Sequence, residues 1–213
     1  MKTNKIIFKT FAISSLFLVA ACGNSSNKDT IENNENPDTV SHIQHESLQQ
    51  NFAHKDIIIL KNPNLLEEEN ENKLKEVIKA YLAMKNAFIV ADSKRIDSAA
   101  QAMLEHVKSV DPKNINGDGK EAWLQHASGY ESKLTELLHI KGLEERRSYF
   151  SHLSEIVYCT IKSFKLNDMK LYAVYCPKAF DGKGAYWISE TEEIRNPYSG
   201  EKMKDCGSIK EEL

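Results

Sequence analysis

The sequence predicts a mainly α-helical domain, an antiparallel four-helix bundle carrying a small C-terminal β-hairpin and turn segment. Three observations predict it. Apolar residues recur at i, i+3, i+4 and i+7 through four successive stretches. The joints between those stretches are short, which places neighbouring helices antiparallel. From Leu171 onward the period shortens and β-forming residues take over.

Periodicity begins near Leu65. Leu74, Val77, Ile78, Tyr81, Met84 and Phe88 form one buried face, and Glu67, Glu68 and Glu69 suit the positive end of a helix. Asp92-Ser93 signals a cap. The second stretch puts Ile96, Ala99, Ala100, Met103, Val107 and Val110 on one side. Asp111-Pro112 stops it, and Asn116-Gly117-Asp118-Gly119 makes a loop. That loop lacks the closing Glu of a calcium-binding hand. A third helix spans about Lys120–His139, with Trp123, Ala127, Tyr130, Leu134 and Leu137 inward. Lys141-Gly142 reads as its C-cap. The fourth carries Phe150, Leu153, Val157, Ile161 and Phe164. Leu171–Tyr175 and Ala185–Ser189 then read as two strands joined by a Gly-bearing loop. Asn196-Pro197-Tyr198-Ser199-Gly200 is a turn, and a short charged tail closes the chain.

The N-terminal region has a different character. Lys2, Lys5 and Lys9 precede an apolar run that ends Val19-Ala20-Ala21-Cys22. This is the pattern of a secretory signal, and its end resembles the bacterial lipobox. Residues 1–21 are therefore expected to be a lipoprotein signal peptide and Cys22 the lipidated mature terminus, which would hold the chain on a membrane. Residues 22–64 read as the lipidated Cys and a flexible tether, because Asn24–Asp38 contains a single aliphatic residue, Ile31. A coil of about forty residues spans roughly 35 Å. Asp56–Leu60 interrupts it as a short strand or a sticky patch. His42, His45 and His54 sit in the tether, where a floppy backbone gives a metal no geometry. The expected location is the cell envelope, facing the periplasm.

Composition narrows the function. Eight Phe, eight Tyr and two Trp suffice for one real core. Removing residues 1–21 removes three Lys and no acid, leaving 25 basic and 31 acidic side chains, a formal −6. That balance argues against nucleic acid or anionic headgroups as partners. No phosphate-binding glycine loop, His-Glu-x-x-His or Gly-x-Ser-x-Gly is present, so the expectation is a protein that is not an enzyme.

Cysteine chemistry supplies the candidate site. Besides Cys22 the chain has Cys159, Cys176 and Cys206. Cys159 lies on a helical stripe and reads as a small core residue. It stands seven residues from His152, about 10 Å along a helix, too far to share one ion with it. Cys176 and Cys206 admit two readings. A structural disulfide would stabilise by about 3–4 kcal/mol in the loop-entropy model. Alternatively Cys176, Met203 and Cys206 form a soft-metal site, with His152 approaching from the fourth helix and Cu(I) as the ion. The expected function is non-enzymatic binding of a soft, copper-type metal, or an accessory role in efflux, in the envelope; the alternative, without a metal, is a protein-interaction module, with Tyr186 or Tyr198 as candidate contacts unless they pack in the core. His106, His126, His139 and His152 are otherwise ordinary surface or satisfied core residues.

Several ordered motifs resemble one family. They are Tyr81-Leu-Ala-Met-Lys-x-Ala87, Arg147-x-x-Phe150-x-x-Leu153-Ser154 and Tyr175-Cys176-Pro177. Further on come Gly184-Ala185-x-Trp187-Ile188-Ser189, Ile194-x-Asn196-Pro197-Tyr198-x-Gly200 and Met203-x-x-Cys206-Gly207. Together, over about residues 70–209, they resemble the bacterial domain of unknown function 3347 family. The resemblance implies an exported or lipid-anchored protein of no settled activity. Some members are fused to periplasmic adaptors of heavy-metal efflux systems, which implies such an adaptor as partner and copper as the metal. One departure stands out. The family usually has Cys-Pro-Met where this chain has Cys176-Pro177-Lys178, and a protonated ammonium cannot donate a lone pair to a metal.

Overall fold

Four long helices make up most of the described chain: α1 (Glu68–Ile89), α2 (Ser93–Ser109), α3 (Asp118–His139) and α4 (Leu143–Phe164). The computed structural model describes Phe52, residues 56–166 and residues 169–213, the side chains of 201 and 202 excepted. All of these lie in one compact unit, residues 36–213. Among the described residues no helix is long and apolar enough to cross a membrane.

Each helix buries the face that its spacing predicts. Leu74, Val77, Ile78, Tyr81, Met84 and Phe88 of α1 are buried, as are Ile96, Ala100, Met103 and Val107 of α2. Trp123, Tyr130, Leu134 and Leu137 follow in α3, and Phe150, Leu153, Val157, Ile161 and Phe164 in α4. Helices pack in chain order, α1 on α2, α2 on α3 and α3 on α4. The Phe150 ring of α4 stacks on Tyr81 at 5.0 Å and meets Phe88 at 4.8 Å, which joins the first helix to the last. The boundaries have local causes. Asp92 accepts a hydrogen bond from the Arg95 N–H at 3.1 Å, satisfying an orphan donor of α2. Asp111 caps the Pro112–Asn114 turn in the same way, at 2.9 Å from the Lys113 N–H. Gly142, expected as a left-handed C-cap, has φ −71° and stands at the N-cap of α4 instead.

Three strands follow: β1 (Tyr172–Cys176), β2 (Ala185–Ser189) and β3 (Ser208–Glu212), antiparallel in the order β2-β1-β3. The expected hairpin pairs Tyr172 with Ser189 and Cys176 with Ala185. β3 corrects the expected charged tail. It pairs with β1 through a register shift between Ala173 and Val174, a bulge that leaves Lys210 without an opposite residue. Its Glu211 accepts hydrogen bonds from the Tyr158 hydroxyl at 2.7 Å and the Lys162 ammonium at 2.6 Å, both on α4.

The free edge of β2 is covered by side chains. The Ile188 N–H donates to the Tyr81 hydroxyl at 3.0 Å, and the Tyr198 hydroxyl donates to the Tyr186 carbonyl. Ser154 on α4 lies between the two phenols, 2.7 Å from Tyr81 and 3.2 Å from Tyr198. Burial raises both phenols above their ordinary range, so both remain protonated. One turn further along α1, the buried Lys85 ammonium meets Glu190 at 2.5 Å, and Asn86 donates to the same carboxylate at 2.9 Å. Desolvation holds Lys85 below the usual ammonium range despite this partner. Desolvation also pushes Glu190 upward, but the bonds from Lys85 and Asn86 outweigh it and keep its carboxyl below the ordinary value.

Residues 56–64, read from composition as tether, lie against the helices. Ile57, Ile58, Ile59 and Leu60 are partly buried against the core. The Ile58 N–H donates to Gln125 Oε1 at 2.7 Å, and the Leu60 N–H to Ser163 Oγ at 3.2 Å. His126, 1% exposed, bonds the Ile58 carbonyl through Nε2 at 2.8 Å, while its Nδ1 lies 3.1 Å from Thr160 Oγ1. Asn64 reaches α3, where any Cβ on Gly119 would collide with its side-chain amide. An apolar run inside a polar stretch thus behaves as a patch stuck to the domain, with the backbone groups of Ile58 and the Leu60 N–H met by side chains.

The His126 contacts set a pH dependence. Burial lowers its pKa to about 4, against an ordinary 6.5. Between these values the unfolded chain binds the extra proton and the folded one does not, so stability is complete above pH 6.5 and is lost as pH falls toward 4. At roughly 1.4 kcal/mol per pKa unit, the expected loss is about 3 kcal/mol by pH 4. Urea unfolding at stepped pH should show it, and the His126→Gln variant should lack that part of the slope.

Candidate functional site

Three of the four residues singled out by their chemistry, Cys176, Met203 and Cys206, meet at the loop between β2 and β3. Asn196 builds it. Its Oδ1 accepts the Tyr198 N–H at 2.8 Å, its Nδ2 donates to the Cys206 carbonyl at 3.1 Å, and its own N–H donates to Lys204 O at 2.8 Å. One Asn side chain thus holds both ends of the loop, which is why a turn motif placed far from the tail governs where the tail goes. Arg147 on α4 pins the loop from beneath. It is buried, its Nε donates to Pro197 O at 3.0 Å, and its Nη1 pairs with Glu144. Tyr198, from the same loop, packs its ring on Phe150, Phe180 and Trp187.

Cys176, the last residue of β1, is fully buried and joined to Cys206 in a disulfide, with Cα atoms 5.4 Å apart. The bond ties the end of the central strand to the segment that enters β3. Met203, half-buried, ends the short helical turn Gly200–Met203, and the Cys206 N–H donates to its carbonyl at 3.0 Å. Cys176, Met203 and Cys206 therefore share one small region. His152 lies elsewhere, half-buried on α4 in the wall of a cavity that none of those three lines. Among the described residues no group of three or more His, Cys, Asp or Glu side chains is placed to hold a metal ion.

The other expected residues distribute as follows. Cys159 is free and fully buried, and burial raises its thiol above the ordinary range, which keeps it protonated as a small core residue. Tyr186 and Tyr198, read as core residues or else as partner contacts, are 8% and 3% exposed and serve the sheet edge and the core. His126 is a satisfied core residue. His106 is half-buried and His139 exposed, its Nδ1 bonded to Thr135 O at 2.7 Å. Lys178 is exposed in the β1–β2 loop. Residues 1–21, Cys22, His42, His45 and His54 lie outside the described residues. Arg147 and Asn196 were visible only as parts of motifs; nothing in composition or periodicity marks them as the pins of the loop.

Residues 77–169 match a family model described as "Protein of unknown function (DUF3347)". The match supports that domain family for the segment from the middle of α1 to the approach to β1. The motifs around Cys176, Asn196 and Cys206 fall beyond the matched span. No curated protein and no solved structure matches the chain.

The disulfide encloses a 30-residue separation that holds little helix. The loop-entropy relation puts its contribution at about 3–4 kcal/mol. The Cys176→Ala/Cys206→Ala double variant should lower the unfolding free energy by about that amount in urea. Reduction of the unaltered chain should reproduce the effect.

Proposed function

We propose that the mature chain is a lipid-anchored envelope protein that acts by binding a partner, without catalysis, and that the Cys176–Cys206 disulfide is its structural staple. The disulfide is the observation that carries this reading. Disulfides persist in oxidising compartments, in keeping with the export signal at residues 1–21 and an acylated Cys22. A sulfur held in a disulfide is also not a thiolate, the form that binds soft metals. The helices are taken to form the antiparallel bundle implied by four amphipathic stretches with short joints. The proposed partner is an adaptor of a heavy-metal efflux system, on the strength of the family resemblance alone, which is an association and not chemistry.

A second reading keeps the metal. Cys176, Met203 and Cys206 share one turn region, so reduction would leave two thiols and a thioether close together, a donor set suited to Cu(I). His152 would then belong to a different site.

Anaerobic Cu(I) titration against a chromophoric chelator separates the two. The first reading expects no competition from the oxidised or the reduced chain. Tight one-to-one binding by the reduced chain, lost on Met203→Leu, would establish the second. In the same cells, Cys22→Ser should move the protein from the membrane fraction to the soluble one.

A further inference from the structure

Asn116-Gly117 is the single Asn-Gly pair of the chain, and the fold sets it at the exposed middle of a turn that is anchored on both sides. Ile115 before it and Gly119 after it are buried, whereas Asn116, Gly117 and Asp118 are exposed. Gly117 is the N-cap of α3, with φ 56° and ψ −141°. The turn therefore selects glycine, because an L side chain is strained at that φ. The Gly117 carbonyl accepts the Lys120 N–H at 3.1 Å, which ties the turn to the helix. Open space surrounds the point where a side chain on Gly117 would stand.

From this arrangement we infer that Asn116 is a site of spontaneous modification, in which water converts its side-chain amide to a carboxylate. The Gly117 nitrogen and Asn116 Cγ are neighbours along the chain, so attack of one on the other closes a five-membered ring and needs no second molecule. Solvent base takes the proton from the Gly117 N–H. The nitrogen attacks Asn116 Cγ, the N–Cγ bond forms, the Cγ–Nδ2 bond breaks, and the amide leaves as ammonia with a proton from water. Water then adds to the cyclic imide and opens one of its two ring C–N bonds. Opening at Cγ gives aspartate, and opening at the main-chain carbonyl gives isoaspartate. One water enters, one ammonia leaves, and nothing is oxidised or reduced. Glycine matters because a larger residue would crowd the attacking nitrogen. Exposure matters because base and water both come from solvent.

The same turn fastens the segment 56–64. The Asn116 carbonyl accepts a hydrogen bond from Asn64 Nδ2 at 3.0 Å, and the Asn64 N–H donates to Ser163 O at 2.8 Å. The Asn64 side chain lies against Gly119, where a Cβ would stand 2.4 Å from its Cγ, so this contact has no slack. Isoaspartate routes the chain through Cβ and Cγ of residue 116. The backbone becomes one atom longer, and the carbonyl that Asn64 binds leaves the main chain as a carboxylate. The turn then cannot keep both that bond and the seat of Asn64 on Gly119. Modification of Asn116 thus loosens the C-terminal end of the segment and adds one negative charge beside α3. It holds under either reading of the disulfide.

Ageing the purified protein in heavy-oxygen water at mildly alkaline pH, followed by peptide mapping, tests it. One heavy oxygen should enter the peptide that holds residue 116, with isoaspartate as the main product, at a rate within tenfold of a free peptide copying residues 112–120. Peptides holding Asn70 and Asn196, both buried, should stay unlabelled over the same time. Asn116→Gln, whose ring closure needs one more atom, should abolish the label. Amide exchange at Asn64, measured against the core amides of α4, should be at least tenfold faster in the aged protein than in the fresh one. A native rate more than tenfold below that of the free peptide would overturn the assignment. Label at residue 116 with unchanged exchange at Asn64 would overturn its link to the segment 56–64.

Discussion

The free edge of β2 is the constraint on which the rest of the molecule depends. A three-stranded sheet packed on a helical layer must satisfy the outward N–H and C=O groups of any strand that it buries, and β2 is buried at all five positions. Among the described residues no fourth strand pairs with it. Tyr81 takes the Ile188 N–H, Tyr198 serves the Tyr186 carbonyl, and Ser154 lies between the two phenols. The spacing makes this possible. Tyr81 and Lys85 are four residues apart on a helix, about 6 Å. Ile188 and Glu190 are two apart at the end of a strand, about 6.6 Å. One face of α1 can therefore meet both: a phenol on the amide and an ammonium on the carboxylate. An unmet amide at this depth would cost about 1–3 kcal/mol.

The opposite edge is treated differently. β3 is largely exposed and charged, and its bulge at Lys210 and its acidic side chains make a poor template for another strand. It stays in place because its flanks are tied. The disulfide holds its entry, Glu211 is bonded to Tyr158 and Lys162, and the Leu213 N–H donates to Leu171 O at 2.8 Å. The covalent bond and the Asn196 and Arg147 pins act on one loop, and that loop delivers Tyr198 to the edge of β2. The staple and the edge cover are thus parts of a single arrangement.

The helices were legible in the sequence because a 3.6-residue period leaves an unmistakable stripe, and every residue placed inward in α1 is buried. The hairpin was legible because Tyr, Val, Trp and Ile cluster on either side of a Gly-bearing loop. β3 was not, because Ser-Ile-Lys-Glu-Glu has the composition of a solvated tail and its pairing comes from β1 and the disulfide, both remote in sequence. At residues 56–64 the sequence shows a sticky run, Asp56–Leu60, but not what it sticks to. Its partners, Gln125, His126 and Ser163, are more than sixty positions away. Core packing of Tyr186 and Tyr198 was one of two open readings, and composition cannot show that the Tyr198 phenol has a buried carbonyl to serve. Of the candidate site, the Cys176–Cys206 pair was visible as two alternatives. That His152 faces a separate cavity was not, since helical spacing gives the face of a residue but not what packs opposite.

Amide hydrogen exchange at Ile188 tests the central role of this edge most directly. With the N–H buried and held by Tyr81, Ile188 should exchange only through global unfolding, as slowly as the core amides of α4, and Tyr81→Phe should speed it by at least tenfold relative to them. Fast exchange of Ile188 in the unaltered chain, comparable to the exposed amides of β3, would contradict the account.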